Sequence, residues 1–363
     1  MSRRYHDSLF STARQRGVCF GFFFIIILIL FALLMVYNLF LNTHPILLRQ
    51  SVTVNDLPSS LEGFKILHIS DLGDKQFGSM QEQLLSLIEK ETYHAVCITG
   101  DITDKGGHPK ALVRLLSGMK KNIPVFFIAG DEDPQPLAQN PEDDAFTLST
   151  YIQTLQQAGA VYLDAPVAVE HNGGTVWFAP ENLYTLDVES SKAAAEKRVT
   201  ELLSIDRTET EQLHLQSSLY TLDRFRRLEE AQKTMDNRDI YIALTHVPLS
   251  YTAMRNLHDS YSDGQSIYID GVSLVLAGHY NAGQWRVPSR GALYVPQTLS
   301  LQSAGFFPDD KGLVGIQSMM GITQYISPGL NTSRIYPFPL SLGRFLNRPA
   351  ITLITLTSKL TAY

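Results

Sequence analysis

Five residues able to hold a metal close short apolar runs of the chain. KILHIS precedes Asp71, HAVCIT precedes Gly100-Asp101, PVFFIA precedes Gly130-Asp131, YIALT precedes His246, and SLVLA precedes Gly278-His279. Runs of this kind read as buried strands, and ligands collect at the carboxyl ends of strands in open α/β sheets. Three carboxylates and two imidazoles suit a divalent transition metal such as Mn, Fe or Zn better than Ca or Mg. Taken singly, an Asp after a strand is usually a turn or helix cap, and a His there is usually a hydrogen-bonded structural residue. The ordered series, not any one member, points to metal chemistry.

The elements that must position these residues alternate between strand and helix. Between the early strands, residues 80–91 and 109–121 carry apolar side chains at helical spacing: Leu84, Leu85 and Ile88, then Leu112, Leu115, Leu116 and Met119. Such alternation implies α/β architecture with crossover connections. Residues 163–170 and 174–180 read as a hairpin about the turn His171-Asn172-Gly173-Gly174. Residues 188–237 form a charged, helix-favouring stretch whose charge runs read as solvated faces, with a partner-binding surface as the second reading.

Composition bounds the function. The 363 residues are 44% hydrophobic and 18% charged, enough apolar material for a large globular domain. Arg3, Arg4, Arg14 and Arg16 against Asp7 give residues 1–16 a net +3, so the rest carries −9 of the overall −6. An acidic globular part argues against nucleic acid as a partner, since phosphate-backbone binding needs clustered Lys and Arg. Cys19 and Cys97 are too few for a disulfide framework and make no CxxC zinc spacing.

Residues 18–41 are almost wholly apolar, long enough to cross a hydrocarbon core of about 30 Å as a helix. Arg14 and Arg16 precede the run and Arg49 alone follows soon after, which by the positive-inside tendency puts the N-terminus in the cytoplasm and the large domain outside. A cleaved signal peptide is the competing reading, but the run is long for one and no small-x-small cleavage site follows. The expected organisation is a cytoplasmic N-terminus at 1–16, a transmembrane helix at 17–41 in the cell membrane, a linker at 42–60 with one short strand near 51–54, and a single domain over 61–363.

In order and spacing these residues resemble the calcineurin-like metallophosphoesterases, and within them the membrane-anchored bacterial branch related to UDP-diacylglucosamine hydrolases. The resemblance spans about residues 65–356. The family pattern is Asp-x-His, Gly-Asp-x-x-Asp, Gly-Asn-His-(Asp/Glu), a lone His and Gly-His-x-His. It reads here as Asp71-Leu72-Gly73, Gly100-Asp101-Ile102-Thr103-Asp104, Gly130-Asp131-Glu132-Asp133, His246, and Gly278-His279-Tyr280-Asn281. Residues 344–356 are similar to that branch's closing strand.

The resemblance implies a four-layer α/β/β/α sandwich and hydrolysis of a phosphomonoester or phosphodiester by metal-activated water. Two ions would share Asp101. The first site keeps Asp71 and Asp101 but has Gly73 and Asn281 where two imidazoles belong. The second keeps Asp101, His246 and His279, with Asp131 in place of an Asn. One divalent ion is therefore expected rather than two. Glu132 replaces a His that assists near the scissile phosphate and is the candidate catalytic residue. Asp74, His68 and His108 are the neighbours able to stand in for missing ligands, although His68 reads as structural and Asp104 as ordering its loop. Tethering suggests an envelope or lipid-linked substrate. The alternative is an inactive phosphoesterase fold serving as a binding or regulatory module. The tripeptide Asn331-Thr332-Ser333 is a formal glycosylation sequon that carries little weight on its own.

Overall fold

The computed structural model describes residues 8–262, 271–296, 304–319 and 321–358. The chain begins with α1 (Ser8–Thr43), β1 (Ile46–Thr53) and β2 (Lys65–Ile69), followed by α2 (Glu82–Ile88), β3 (Ala95–Thr99), α3 (Lys110–Gly118), β4 (Val125–Ile128), α4 (Thr150–Gln157) and β5 (Val161–Tyr162). A hairpin of β6 (Val167–His171) and β7 (Gly174–Pro180) leads into α5 (Asn182–Thr185), α6 (Val188–Leu203) and α7 (Glu209–Gln232), then β8 (Ile240–Leu244), α8 (Tyr251–Ser262) and β9 (Leu274–Ala277). The two-residue strands β10 (Arg286–Val287), β11 (Gly291–Ala292), β12 (Tyr294–Val295) and β13 (Gly305–Phe306) precede β14 (Gly315–Met319), β15 (Ile322–Ile326) and the closing β16 (Ala350–Thr357).

Two six-stranded sheets result, in the orders β1-β16-β2-β3-β4-β5 and β14-β15-β9-β8-β7-β6. Their inner faces meet through Ile66, Phe126, Phe178, Ile242, Leu276 and Tyr325, among others, in one apolar layer. The outer face of the first sheet is covered by α2, α3 and α4 through Leu84, Leu112, Leu115 and Ile152. The second is covered by the helical segment through Leu183, Val188, Phe225 and Leu228. The arrangement is the expected α/β/β/α sandwich. Each inner strand is buried on both faces, which is why its sequence is continuously apolar rather than alternating.

The hairpin forms where its turn composition places it, with Asn172 and Gly173 both at positive φ. The charged segment is helical, and α7 opens with a capping box between Thr208 and Glu211. Its charges are not all solvated. Arg227 grips Asp164, which is 7% exposed, through Nη1 and Nη2 at 2.6 and 2.9 Å, and Tyr220 donates to the same carboxylate at 2.7 Å. These bonds pin the helical layer to the loop after β5.

Residues 42–60 differ from the expected linker. They contain the whole of β1, paired in parallel with β16 from Ile46↔Ala350 to Thr53↔Thr357. The partner lies some three hundred residues away, so Pro45 and Pro58 advertise chain breaks while nothing local advertises the pairing. In α1, Gly21–Thr43 is a 23-residue stretch of mean hydropathy 2.9 with none of its window buried. At 1.5 Å per residue it extends about 35 Å, long enough to cross a bilayer.

Candidate metal centre

Strand ends from both sheets converge on one point. Asp101 follows β3, Asp131 follows β4, His246 follows β8 and His279 follows β9, and each offers a ligand atom within 4.8 Å of the others. His246 Nε2 lies 2.7 Å from Asp131 Oδ1 and 3.2 Å from Asp101 Oδ2, and His279 Nδ1 lies 2.9 Å from Asp131 Oδ1. The two imidazole nitrogens are 3.1 Å apart. His246 turns its other nitrogen, Nδ1, to the carbonyl of Thr99 at 2.7 Å. That bond places the proton on Nδ1 and aims the Nε2 lone pair at the cluster, the outer-shell arrangement that orients metal-binding imidazoles.

The backbone is bent to bring these groups together. Asp71, Asp101 and His279 all adopt left-handed φ values, 53°, 52° and 71°. Non-glycine residues seldom do so, and such strain gathers at functional sites. At Gly130 the loops touch so closely that a Cβ would stand 2.2 Å from Asp101 Oδ1 and 2.3 Å from its amide nitrogen. Gly130→Ala is therefore expected to push Asp101 out of position, costing about 1–3 kcal/mol of stability and the metal, both readable by urea titration and elemental analysis.

Asp133, to which the sequence alone gives no role, ties this corner together. Its Oδ1 accepts from the amides of Ile102 and Thr103 and from the Thr103 hydroxyl, and its Oδ2 from the amide of Gly130. The loops bearing Asp101 and Asp131 are thus locked to each other.

Without a bound cation the cluster is a charged hydrogen-bond knot. Burial opposes a charge on His246, yet Asp101 and Asp131 outweigh it and hold its pKa well above the ordinary value. Partial burial likewise opposes a charge on Asp131, but His246 and His279 keep its carboxyl well below the usual range. Two acidic side chains and two imidazoles in this packing fit a divalent transition ion.

The expected first site is arranged differently. Asp71, 2% exposed, accepts from the amide of His279 at 3.2 and 3.3 Å and from Asn281 Nδ2 at 3.3 Å. Burial pushes its pKa up to about 6, aided by the nearby Asp101. Gly73 has φ 52°, and a Cβ there would sit 2.7 Å from Asn331 Nδ2. Asn331 thus fills the space of the missing side chain, donating to Leu72 O and Asp74 Oδ1. Its amide nitrogen is thus hydrogen-bonded within the protein at a half-buried position lining the cleft beside the cluster.

Asn281, in turn, is held by Arg344. This guanidinium is 3% exposed and spends all five N–H groups on neutral acceptors at 2.9–3.1 Å: Asn281 Oδ1, the carbonyls of Asn331, Pro328 and Asn347, and Asn347 Oδ1. Burial lowers its pKa to about 10, with Asp71 opposing the shift. Among the described residues, none of the three candidates for rescuing the first site belongs to a group of ligands able to hold an ion. His68 is fully buried within β2, bonded to Thr99 Oγ1 at 2.9 Å, and burial pushes its pKa down to about 3. His108 bonds Asp104, which orders its own loop, and Asp74 bonds Asn331.

A cleft of about 360 Å³ opens beside the cluster, lined by Asp71, Asp101, Glu132 and Asn281 on its floor and by Lys105, Arg334, Ser341 and Leu342 toward its rim. Glu132 does not hang free in it. Its carboxylate accepts from the Arg334 amide at 2.9 Å and the Ser333 hydroxyl at 3.3 Å, with Arg334 Nε 3.5 Å away.

The family model for calcineurin-like phosphoesterases matches residues 64–281, more than half of the chain. The chain belongs to this family. Calcineurin-like phosphoesterases imply a divalent metal, and the Asp101, Asp131, His246 and His279 cluster is where this member can hold one. Arg344, Asn331 and β16 lie beyond the matched stretch. Among solved structures, the phosphopantetheinyl hydrolase from Mycobacterium tuberculosis is 12% identical over 73% of this chain and 89% of that one, with a TM-score of 0.36. No curated protein sequence matches.

Proposed function

We propose that the protein is a membrane-anchored metallophosphoesterase that uses one divalent ion, Mn, Fe or Zn, to hydrolyse a phosphomonoester or phosphodiester carried on an envelope or lipid-linked molecule. The observation that carries this reading is the convergence of Asp101, Asp131, His246 and His279 within 4.8 Å, with Asp101 also lining the neighbouring open cleft. A bound ion would supply Lewis acidity at a phosphoryl oxygen and acidify a water. The chain's own residues supply the rest. Lys105 and Arg334 line the cleft and offset the acidic floor for an incoming phosphate. Glu132, braced by Arg334, positions that cation and is a candidate proton carrier, the role expected of its place in the motif. The N-terminus is read as cytoplasmic and the domain as extracytoplasmic.

A second reading, an inactive binding or regulatory module, draws on the filled first site. Purified full-length chain analysed for Mn, Fe and Zn and assayed on generic monoesters and diesters separates the two. Turnover with about one ion per chain supports the enzyme, whereas metal-independent absence of turnover sinks it. A related result follows for Gly73→His combined with Asn281→His. These changes are expected to recruit no second ion. An imidazole at position 73 would need a left-handed backbone in space taken by Asn331, and position 281 is packed against Gly329 and Arg344. Metal stoichiometry unchanged from the parent is the anticipated readout.

A further inference from the structure

Beyond α1, the three most exposed large apolar side chains among the described residues are Phe338 at 78%, Phe306 at 75% and Leu342 at 73%. They do not scatter. Phe338 and Leu342 belong to the loop running into Arg344. Trp285 Nε1 donates to the carbonyl of Gly343 at 2.8 Å, and its ring lies 5.3 Å from that of Phe345. From there backbone bonds run Leu293 N to Trp285 O and Phe307 N to Leu293 O, so the Phe306-Phe307 tip belongs to the same surface.

That surface is fastened to the end of α1. Asn38 and Asn42 donate to the carbonyl of Arg344 at 3.1 and 3.0 Å, Asn38 Oδ1 accepts from the amide of Leu346 at 2.7 Å, and Arg348 Nε donates to His44 O at 2.6 Å. Sheet register puts the metal cluster at this same end. Ile46, just past α1, pairs with Ala350, and Thr352 pairs with His68 near the end of β2, where the ligand-bearing loops begin.

We infer that the surface carrying Phe306, Phe338 and Leu342 lies within the interface of the membrane that α1 crosses, so that the metal cleft opens onto the lipid headgroups. The inference rests on the reading of α1 as a membrane span and specifies what that reading leaves open, namely which face of the domain meets the bilayer. Exposed Phe and Leu beside a half-buried Trp are the composition of an interfacial anchor. Arg290, 5.9 Å over the Phe307 ring, and Arg348 add cations suited to anionic headgroups. Leu342 is shared between the apolar surface and the cleft, which puts the cleft rim at the bilayer surface.

The test uses the full chain carrying Cys19→Ala, since Cys97 is buried. Phe306→Cys, Phe338→Cys, Leu342→Cys, Val36→Cys and Glu170→Cys are made singly, labelled with an environment-sensitive fluorophore and placed in phosphatidylcholine–phosphatidylglycerol nanodiscs doped with a nitroxide-labelled lipid. Glu170 is exposed on β6 at the opposite end of the sheets. Lipid-borne quenching several-fold greater at 306, 338 and 342 than at 170 is expected, with 36 quenched as well. Quenching at 36 but water-like behaviour at 306, 338 and 342 overturns the inference while leaving the anchor intact. A water-exposed label at 36 overturns the anchor and the inference with it.

Discussion

Replacing His246 with alanine is expected to strip the purified chain of its divalent metal, weakening affinity by well over the ~100-fold lost when an outer-shell partner of a metal ligand is removed. The side chain contributes twice, offering Nε2 to the cluster while Nδ1 satisfies the Thr99 carbonyl. His279→Ala should have the same effect, because His279 Nδ1 is the other imidazole donor facing Asp131. Titration with Mn would also show affinity rising with pH. In the metal-free protein, burial works against the His246 proton but Asp101 and Asp131 retain it above the ordinary histidine range of ~6.5. An entering ion must expel that proton, so binding is weak below the raised pKa, strengthens as pH climbs through it, and releases a measurable proton. Equal affinity across that range would remove the cluster as the binding site.

Arg344→Ala carries the other large effect, on stability. Five hydrogen bonds converge on the guanidinium, and its removal leaves buried carbonyls of Asn331, Pro328 and Asn347 without that donor and frees Asn281 from the position that keeps the first site closed. Each buried neutral acceptor left without its donor costs about 1–3 kcal/mol. A urea midpoint shifted downward at unchanged slope is the expected signature. Arg344→Lys should recover part of the loss but not all, because an ammonium cannot reproduce a planar fork of five donors. A midpoint equal to the parent's for Arg344→Ala would show that water replaces the network without cost.

The central parts of this molecule are readable from its sequence. Strands buried on both faces leave uninterrupted apolar runs, and each run ends where a polar ligand must emerge, so Asp101, Asp131, His246 and His279 are visible as punctuation. Asp71 is visible in the same way, though the fold surrounds it with donors from His279 and Asn281. What stays hidden depends on partners distant along the chain. Arg344 meets Asn281 across 63 residues and Asn331 meets Asp74 across 257, and neither spacing leaves a local trace. Asn331 reads in the sequence only as part of a sequon, because the space it fills is the one that Gly73 vacates. β1 is obscured for a related reason. An edge strand with polar Arg49, Gln50 and Ser51 in its middle has no period that separates it from a linker.

The placement of β16 between β1 and β2 has a consequence for how the chain is made. During synthesis the first strand emerges early, yet its neighbour follows it out of the ribosome only some three hundred residues later. Until then β1 has no hydrogen-bonding partner and β2 has an open edge on one side, facing solvent or a chaperone. Loop closure over some three hundred residues must precede the reward of eight paired residues, a topology that folds slowly. Loss of residues 350–357 would therefore remove the strand that joins β1 to β2, leaving β1 without its neighbour in the first sheet and attached through the contacts of α1 with residues 344–348.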